Sequence, residues 1–119
     1  MNCPFCNITP DKYIIESELV FAVNDIYPVS KGHSLVIPKT HIENYFALSR
    51  EYQIACWDLV NQLKLILQEK YNPDGYNVGL NINRIAGQSV PHAHIHIIPR
   101  YSGQAHENFA IENIAAKDF

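Results

Sequence analysis

Apolar residues return along this chain with two different periods. Between Glu51 and about Tyr71, Ile54, Cys56, Trp57, Val60, Leu63, Ile66 and Leu67 recur every three or four positions. That period predicts an amphipathic helix with one face on a core. Ser49 stands where an N-cap belongs, and "NPDG" closes the stretch. The other apolar runs are short. "YIIES" and "LVFAVND" read as two strands, the second rich in aromatic and β-branched residues. "HSLVIPK" is a third strand, stopped by Pro38; "YNVGLNIN" is a fourth and "HAHIHIIPR" a fifth. Pro28 and Gly32 break "DIYPVSKGH" into turns, "RIAGQSVP" is a loop, and "THIENYFAL" is expected to begin with a helical turn capped by Thr40. Strands separated by turns, with one long helix between them, predict an α+β domain built on an antiparallel sheet. No repeat, low-complexity tract or linker divides residues 1–119, so one domain is expected, with an aperiodic tail over 102–119 lying on its surface.

Composition narrows the function classes. At 119 residues the chain can bury a core without staples, and 47% hydrophobic with 18% charged residues is ordinary for a soluble domain. A formal net charge of −3 offers no basic face for a nucleic-acid polymer. No apolar run approaches a membrane span, and "MNCPFCNITP" lacks a signal peptide's apolar region, so a cytoplasmic protein is expected. Three cysteines, two of them in a C-x-x-C, argue against a secreted disulfide framework. Cys56 falls within the helical pattern and reads as a core thiol.

The chemistry concentrates in "PHAHIHIIPR". Residues two apart on a strand share a face, so His92, His94 and His96 would line one side while Ala93, Ile95 and Ile97 pack inward. The first and third Cα atoms would be roughly 13 Å apart. One zinc ion, with bonds of about 2.0 Å to nitrogen, could not easily collect all three rings. A row of imidazoles along a polyphosphate accounts for all three. Neutral histidine is a nucleophile toward phosphorus, and flanking rings can donate hydrogen bonds to phosphate oxygens. The preceding "AGQSV" adds Gly87, where backbone can approach closely, and the donors Gln88 and Ser89.

"GQSVPHAHIHIIPRY" resembles the signature of the histidine triad (HIT) superfamily: His, apolar, His, apolar, His and two apolar residues after a Gly-Gln-Ser loop. "VNDIYPVSKGHSLVIPKTHIENY" and "YNVGLNINRIAGQSV" are similar to further blocks of that family, and the likeness runs over about residues 3–101. The resemblance implies a five-stranded antiparallel sheet with one long and one short helix, and two protomers joined through a continuous sheet. It implies attack on the α-phosphate of a nucleotide conjugate, a nucleotidyl-histidine, and release of a nucleoside monophosphate by water. His94 matches the nucleophile, His96 a phosphate ligand, and His33 a histidine that buttresses the triad. Ser89 and Gln88 match contacts to the phosphate or leaving group, Asn81 an amide beside the phosphates, Asp25 the ribose clamp, and Ile26 a wall for the base. A carboxylate can accept from a vicinal diol. Without the resemblance, Asp25 reads as a turn-initiating residue before Pro28. Related nucleotidyl transferases carry Gln at the third triad position; His96 stands there, which favours hydrolysis.

Cys3 and Cys6 have the spacing of half a tetrahedral zinc site, or of a redox pair. A thioredoxin-like motif needs a strand before it, for which two residues leave no room. Some HIT proteins resemble this chain in residues 1–8 and bind zinc through such a pair with two histidines, matched here by His41 and His92. The zinc would be structural. His106, in the tail, reads as a surface histidine. Two functions follow from different classes: a hydrolase of purine nucleoside phosphoramidates or dinucleoside polyphosphates, or a zinc-containing nucleotide-binding or interaction module with little catalysis.

Overall fold

A computed structural model describes residues 2–103. Five strands form one sheet: β1 (Ile15–Glu16), β2 (Val20–Asn24), β3 (Ser34–Pro38), β4 (Gly75–Gly79) and β5 (Ile95–Arg100). Their spatial order is β1-β2-β3-β5-β4, and every pairing is antiparallel. A helix, α1 (Arg50–Tyr71), lies across β2, β3 and β5. The α+β expectation and the five-stranded sheet are therefore observed.

Alternation along the strands divides the core in two. Val20, Ala22, Val36, Ile95 and Ile97 face α1, where they meet Cys56, Leu59, Val60, Leu63 and Leu67. Phe21, Val23, Leu35 and Ile37 take the opposite face and pack on Cys3, Phe5 and Val90. The N-terminal segment and the loop before β5 thus cover the face that the helix leaves open. Both faces are buried, which is why β3 is buried at every position. Cys56 is a core thiol, and burial pushes its pKa up to about 11.

The helix begins as expected, with Ser49 Oγ accepting the Tyr52 N–H at 3.3 Å. Its buried stripe differs. Ile54, Trp57 and Ile66 are exposed, and Leu59 takes the inward place instead. Trp57 reaches sideways, its indole N–H donating to Tyr45 Oη at 3.0 Å. The short helical turn is Tyr45–Ala47, capped by Asn44 rather than Thr40, because the Asn44 side chain accepts the Phe46 N–H at 2.8 Å. β4 ends at Gly79, short of the run through Asn83. β5 begins at Ile95, not His92, because the preceding backbone bonds elsewhere: Ala93 N–H donates to the Ile42 carbonyl at 2.8 Å.

Candidate active site

His96 is the one triad histidine on a regular strand, opposite Leu35 on β3 and Gly79 on β4, on the sheet face away from α1. His94 and His92 lie in the chain leading into β5. The row is therefore bent. His94 and His96 are edge to face with centroids 5.1 Å apart, while the His92 ring lies against the N-terminal segment. All three are buried, so an exposed polar face is excluded.

Each ring has its tautomer set by a backbone group or a neighbour. His94 Nδ1 lies 2.8 Å from the His92 carbonyl, an obligate acceptor, so Nδ1 carries the proton and Nε2 keeps a lone pair. His92 Nε2 lies 2.8 Å from the Pro38 carbonyl, so its lone pair is on Nδ1. His33 Nδ1 accepts the Val29 N–H at 3.2 Å, which puts the His33 proton on Nε2. That Nε2 is 3.0 Å from His96 Nδ1, which must then be the acceptor, leaving His96 with an Nε2–H. His96 Nε2 is buried without a hydrogen-bond partner, as is Asn81 Nδ2. Native structures rarely leave such groups orphaned, and a bound anion would satisfy both.

Burial keeps the rings neutral. It lowers the His94 pKa against the opposing effect of the bond to the His92 carbonyl, and drives His96 down to about 3 with help from the adjacent His94 and His33. Phe5 packs edge-on to His94 with centroids 4.9 Å apart, shielding the ring on one side. The site thus presents a neutral imidazole lone pair beside an N–H donor, suited to attack on phosphorus and binding of its oxygens.

Asp25, Ser89, His94 and His96 line one cleft, together with Tyr27, Leu35 and Val90. The Asp25 carboxylate is buried; Oδ1 accepts the Tyr27 N–H at 2.8 Å and Oδ2 is 3.3 Å from His33 Nε2. The Gln88 side chain is bonded within the protein. Its Oε1 accepts the Asn83 N–H at 2.7 Å, and its Nε2 donates to the Glu43 and Val90 carbonyls at 2.9 and 3.0 Å. Both amide hydrogens are spent on shaping the loop that carries Ser89. Gly87, at φ 98°, gives that loop its left-handed turn. Ile26 is exposed at one wall of a cavity of about 290 Å³, shared with Ile8, Lys12, Val23 and Asn24. Phe5 was not legible as a neighbour of the nucleophile, because no motif marks it and only the folding of the N-terminal segment onto the sheet brings it against His94.

The second cluster is at the other end of the bent row. Cys3, Cys6, His41 and His92 each offer one ligand atom, all within 4.8 Å of one another. Cys3 Sγ and Cys6 Sγ lie 3.4 and 3.6 Å from His92 Nδ1, Cys6 Sγ lies 3.2 Å from His41 Nδ1, and the two Nδ1 atoms are 3.2 Å apart. Tetrahedral zinc bonds of about 2.3 Å to sulfur and 2.0–2.1 Å to nitrogen imply ligand separations of about 3.3–3.8 Å. The donor set fits. His92 also shows the outer bond common to metal-ligating histidines, Nε2–H to the Pro38 carbonyl. Without a cation, desolvation and the Cys3 sulfur push the Cys6 thiol above its ordinary pKa. No redox disulfide joins the pair; both cysteines are free thiols. His106 and most of the tail lie outside the described residues.

The HIT domain family model matches residues 7–103. The chain belongs to the HIT family. Among sequences similar to this HIT protein, adenosine 5′-monophosphoramidase hnt1 of Schizosaccharomyces pombe is 42% identical over 104 residues, covering 84% of this chain and 75% of the relative. Bis(5′-adenosyl)-triphosphatase of Dictyostelium discoideum is 32% identical over 111 residues, covering 93% and 74%. A crystal structure of a HIT family member from Bacillus subtilis superposes with a TM-score of 0.80 at 37% identity, covering 96% of this chain and 90% of that one. A Zn-bound histidine triad family protein from Mycobacterium smegmatis gives a TM-score of 0.80 at 28% identity, covering 98% and 88%. Hydrolases of nucleotide substrates thus stand among the relatives, and the fold is that of the family.

Proposed function

We propose that this HIT protein is a nucleotide hydrolase that cleaves a purine nucleoside phosphoramidate or dinucleoside polyphosphate at the α-phosphate through His94. The observation that carries the reading is the tautomer of His94. The His92 carbonyl holds its proton on Nδ1 at 2.8 Å, leaving Nε2 as a neutral nucleophile in the cleft shared with His96 and Ser89. The Nε2 lone pair forms an N–P bond as the bond from phosphorus to the amine or polyphosphate breaks. The leaving group departs with that electron pair, and an amine takes a proton from solvent. Water then attacks phosphorus and gives up a proton to solvent, the P–N pair returns to His94, and the monophosphate leaves. His96 Nε2–H and Asn81 Nδ2, both buried and unpartnered, donate to the phosphate oxygens, and Ser89 serves the leaving group. Ile26 and the cavity beside it take the base.

Zinc, held by Cys3, Cys6, His41 and His92, supplies a structural crosslink between the N-terminus and the sheet. His92 then joins two duties: its ring is a ligand and its carbonyl orients the nucleophile. Two copies join along β4, an edge strand whose Val78 is exposed, to continue the sheet. Among the described residues no helix is long and apolar enough to cross a membrane.

The test is intact-protein mass spectrometry after a brief quench with adenosine phosphoramidate and, separately, diadenosine polyphosphate. A gain of one adenylyl group on His94 is the expected result. Neither adduct nor product from either substrate would leave the binding-module reading in its place.

A further inference from the structure

Behind His96 two buried polar side chains, His33 and Asp25, meet it in one hydrogen-bonded cluster. His96 Nδ1 is 3.0 Å from His33 Nε2, and His33 Nε2 is 3.3 Å from Asp25 Oδ2. His33 and Asp25 are each held by backbone: Val29 N–H donates to His33 Nδ1 at 3.2 Å, and Tyr27 N–H to Asp25 Oδ1 at 2.8 Å. The ligand-atom separations also suit a divalent ion, since Asp25 Oδ2 is 4.0 Å from His96 Nδ1 and the three atoms cluster within 4.8 Å. The Val29 N–H argues against one. With Nδ1 accepting it, His33 could bind a metal at Nε2 only as an imidazolate. What the backbone selects is one His33 Nε2–H shared between Asp25 Oδ2 and His96 Nδ1, the hydrogen-bonded relay of this site.

We infer that Asp25 is a positioning residue: through His33 it holds His96 as its Nε2–H tautomer, so that an N–H rather than a lone pair meets the phosphate. This rests on the nucleotidyl-histidine reading of the site, and it gives Asp25 a duty distinct from holding ribose. The carboxylate charge favours the His33 tautomer whose proton lies on the side of Oδ2. His33 Nε2–H then excludes a proton from His96 Nδ1, because two donors cannot face each other at 3.0 Å. His96 stays neutral at working pH, so its single proton must be on Nε2 to be of use. Without the carboxylate, a lone pair could turn toward a phosphate oxygen and repel it.

Asp25→Asn tests the chain. If its carbonyl oxygen keeps the Tyr27 N–H, its NH2 confronts His33 Nε2–H, and the relay must break or invert. Two readouts apply. The first is the long-range 1H–15N spectrum of the histidine rings in the full chain, which reports each tautomer and needs no turnover. Wild type should show His96 protonated at Nε2, and the Asn variant a shift to Nδ1–H or a mixture. The second is kinetics with adenosine phosphoramidate and its 2′,3′-dideoxy analogue. Loss of an outer hydrogen-bond partner predicts that kcat falls about ten- to a hundredfold on both substrates. Either of two tautomer results would overturn the inference: a wild-type His96 protonated at Nδ1, which needs no variant to fold, or a folded Asn variant whose His96 tautomer is unchanged. A rise in KM confined to the ribose-bearing substrate, with kcat intact, would also overturn it by placing Asp25 on the ribose alone. Failure of the hydrolase reading is separable, since it would appear as wild type turning over nothing while the tautomer remains readable.

Discussion

His94→Ala is the substitution whose consequences the structure constrains on both stability and rate. The side chain is 6% exposed and makes one hydrogen bond, Nδ1–H to the His92 carbonyl at 2.8 Å. Losing that bond costs about 1 kcal/mol, and a carbonyl left short of a donor adds about 1–3. The edge contacts to Phe5 and His96 each add about 0.5–1.5 kcal/mol. Against this, the variant no longer buries an imidazole that water would solvate. The net is a loss of about 2–4 kcal/mol, large for a small domain but compatible with folding. The rate is affected far more. With no lone pair in the cleft, no P–N bond can form, and losses on the order of 10⁴–10⁶-fold in kcat are expected for a missing nucleophile. Monophosphate binding should survive, because His96, Asn81 and Ser89 remain. The assay pairs urea unfolding with kcat and KM on adenosine phosphoramidate and the intact-mass adduct. A folded variant that hydrolyses within tenfold of wild type would refute the nucleophile assignment outright.

Three further outcomes are expected. Cys3→Ser should lose bound zinc by metal analysis and melt at lower temperature while keeping measurable hydrolysis; unchanged metal content would remove Cys3 from the site. Stability should fall on mild acidification. His96 titrates at about 3 in the fold, so below about 6.5 the unfolded chain binds a proton that the folded chain refuses. The resulting slope is about 1.4 kcal/mol per pH unit from this residue between 6.5 and 3, steepened by His92 and His94, which burial shifts in the same direction. Urea midpoints that stay flat from pH 7.5 to 5 would contradict the buried neutral triad. Val78→Lys, placing a charge on the exposed edge of β4, should move the solution mass by ultracentrifugation toward that of one 13.6 kDa chain. A wild type already at that mass would exclude the joined sheet.

Much of the fold could be read from period alone, and the misses have local causes. The strands around Phe21, Leu35 and Ile97 are short apolar runs bounded by turns, buried on both faces, and Ser49 caps the helix as its position predicts. Ile54, Trp57 and Ile66 fit the helical interval yet face outward, because hydrophobic spacing does not say which of two adjacent stripes the sheet will cover. The start of β5 departs from the pattern for another reason. Alternation at His92, Ala93 and His94 is that of a strand, but Ala93 bonds to Ile42 instead of a neighbouring strand. Within the site, the resemblance named His94, His96, His33 and Asp25, and the structure brings all four together. Gln88 shows the limit of a motif: its position is marked, but only the fold reveals that Asn83, Glu43 and Val90 consume its side chain. Phe5 sits between two marked cysteines and carries no mark of its own.

The bend at His92 explains how alternate histidines can do unlike work. Had all three continued one strand, each ring would face the same way and compete for the same ligand. Leaving the ladder before Ile95 lets each ring find its own partner: the Pro38 carbonyl accepts from His92, the His92 carbonyl accepts from His94, and His33 donates to His96. These partners assign a lone pair toward the cysteines, a lone pair for phosphorus, and an N–H left for a phosphate oxygen. Because His92 contributes its ring to one cluster and its carbonyl to the other, neither can move without the other. A substitution such as His92→Ala, which keeps the carbonyl but frees the segment from Cys3, Cys6 and Pro38, therefore separates the two contributions. It should lose metal and lower kcat moderately, since the carbonyl persists but its direction does not. Full activity without metal would mean that the backbone bond of Ala93 to Ile42 suffices to aim the nucleophile.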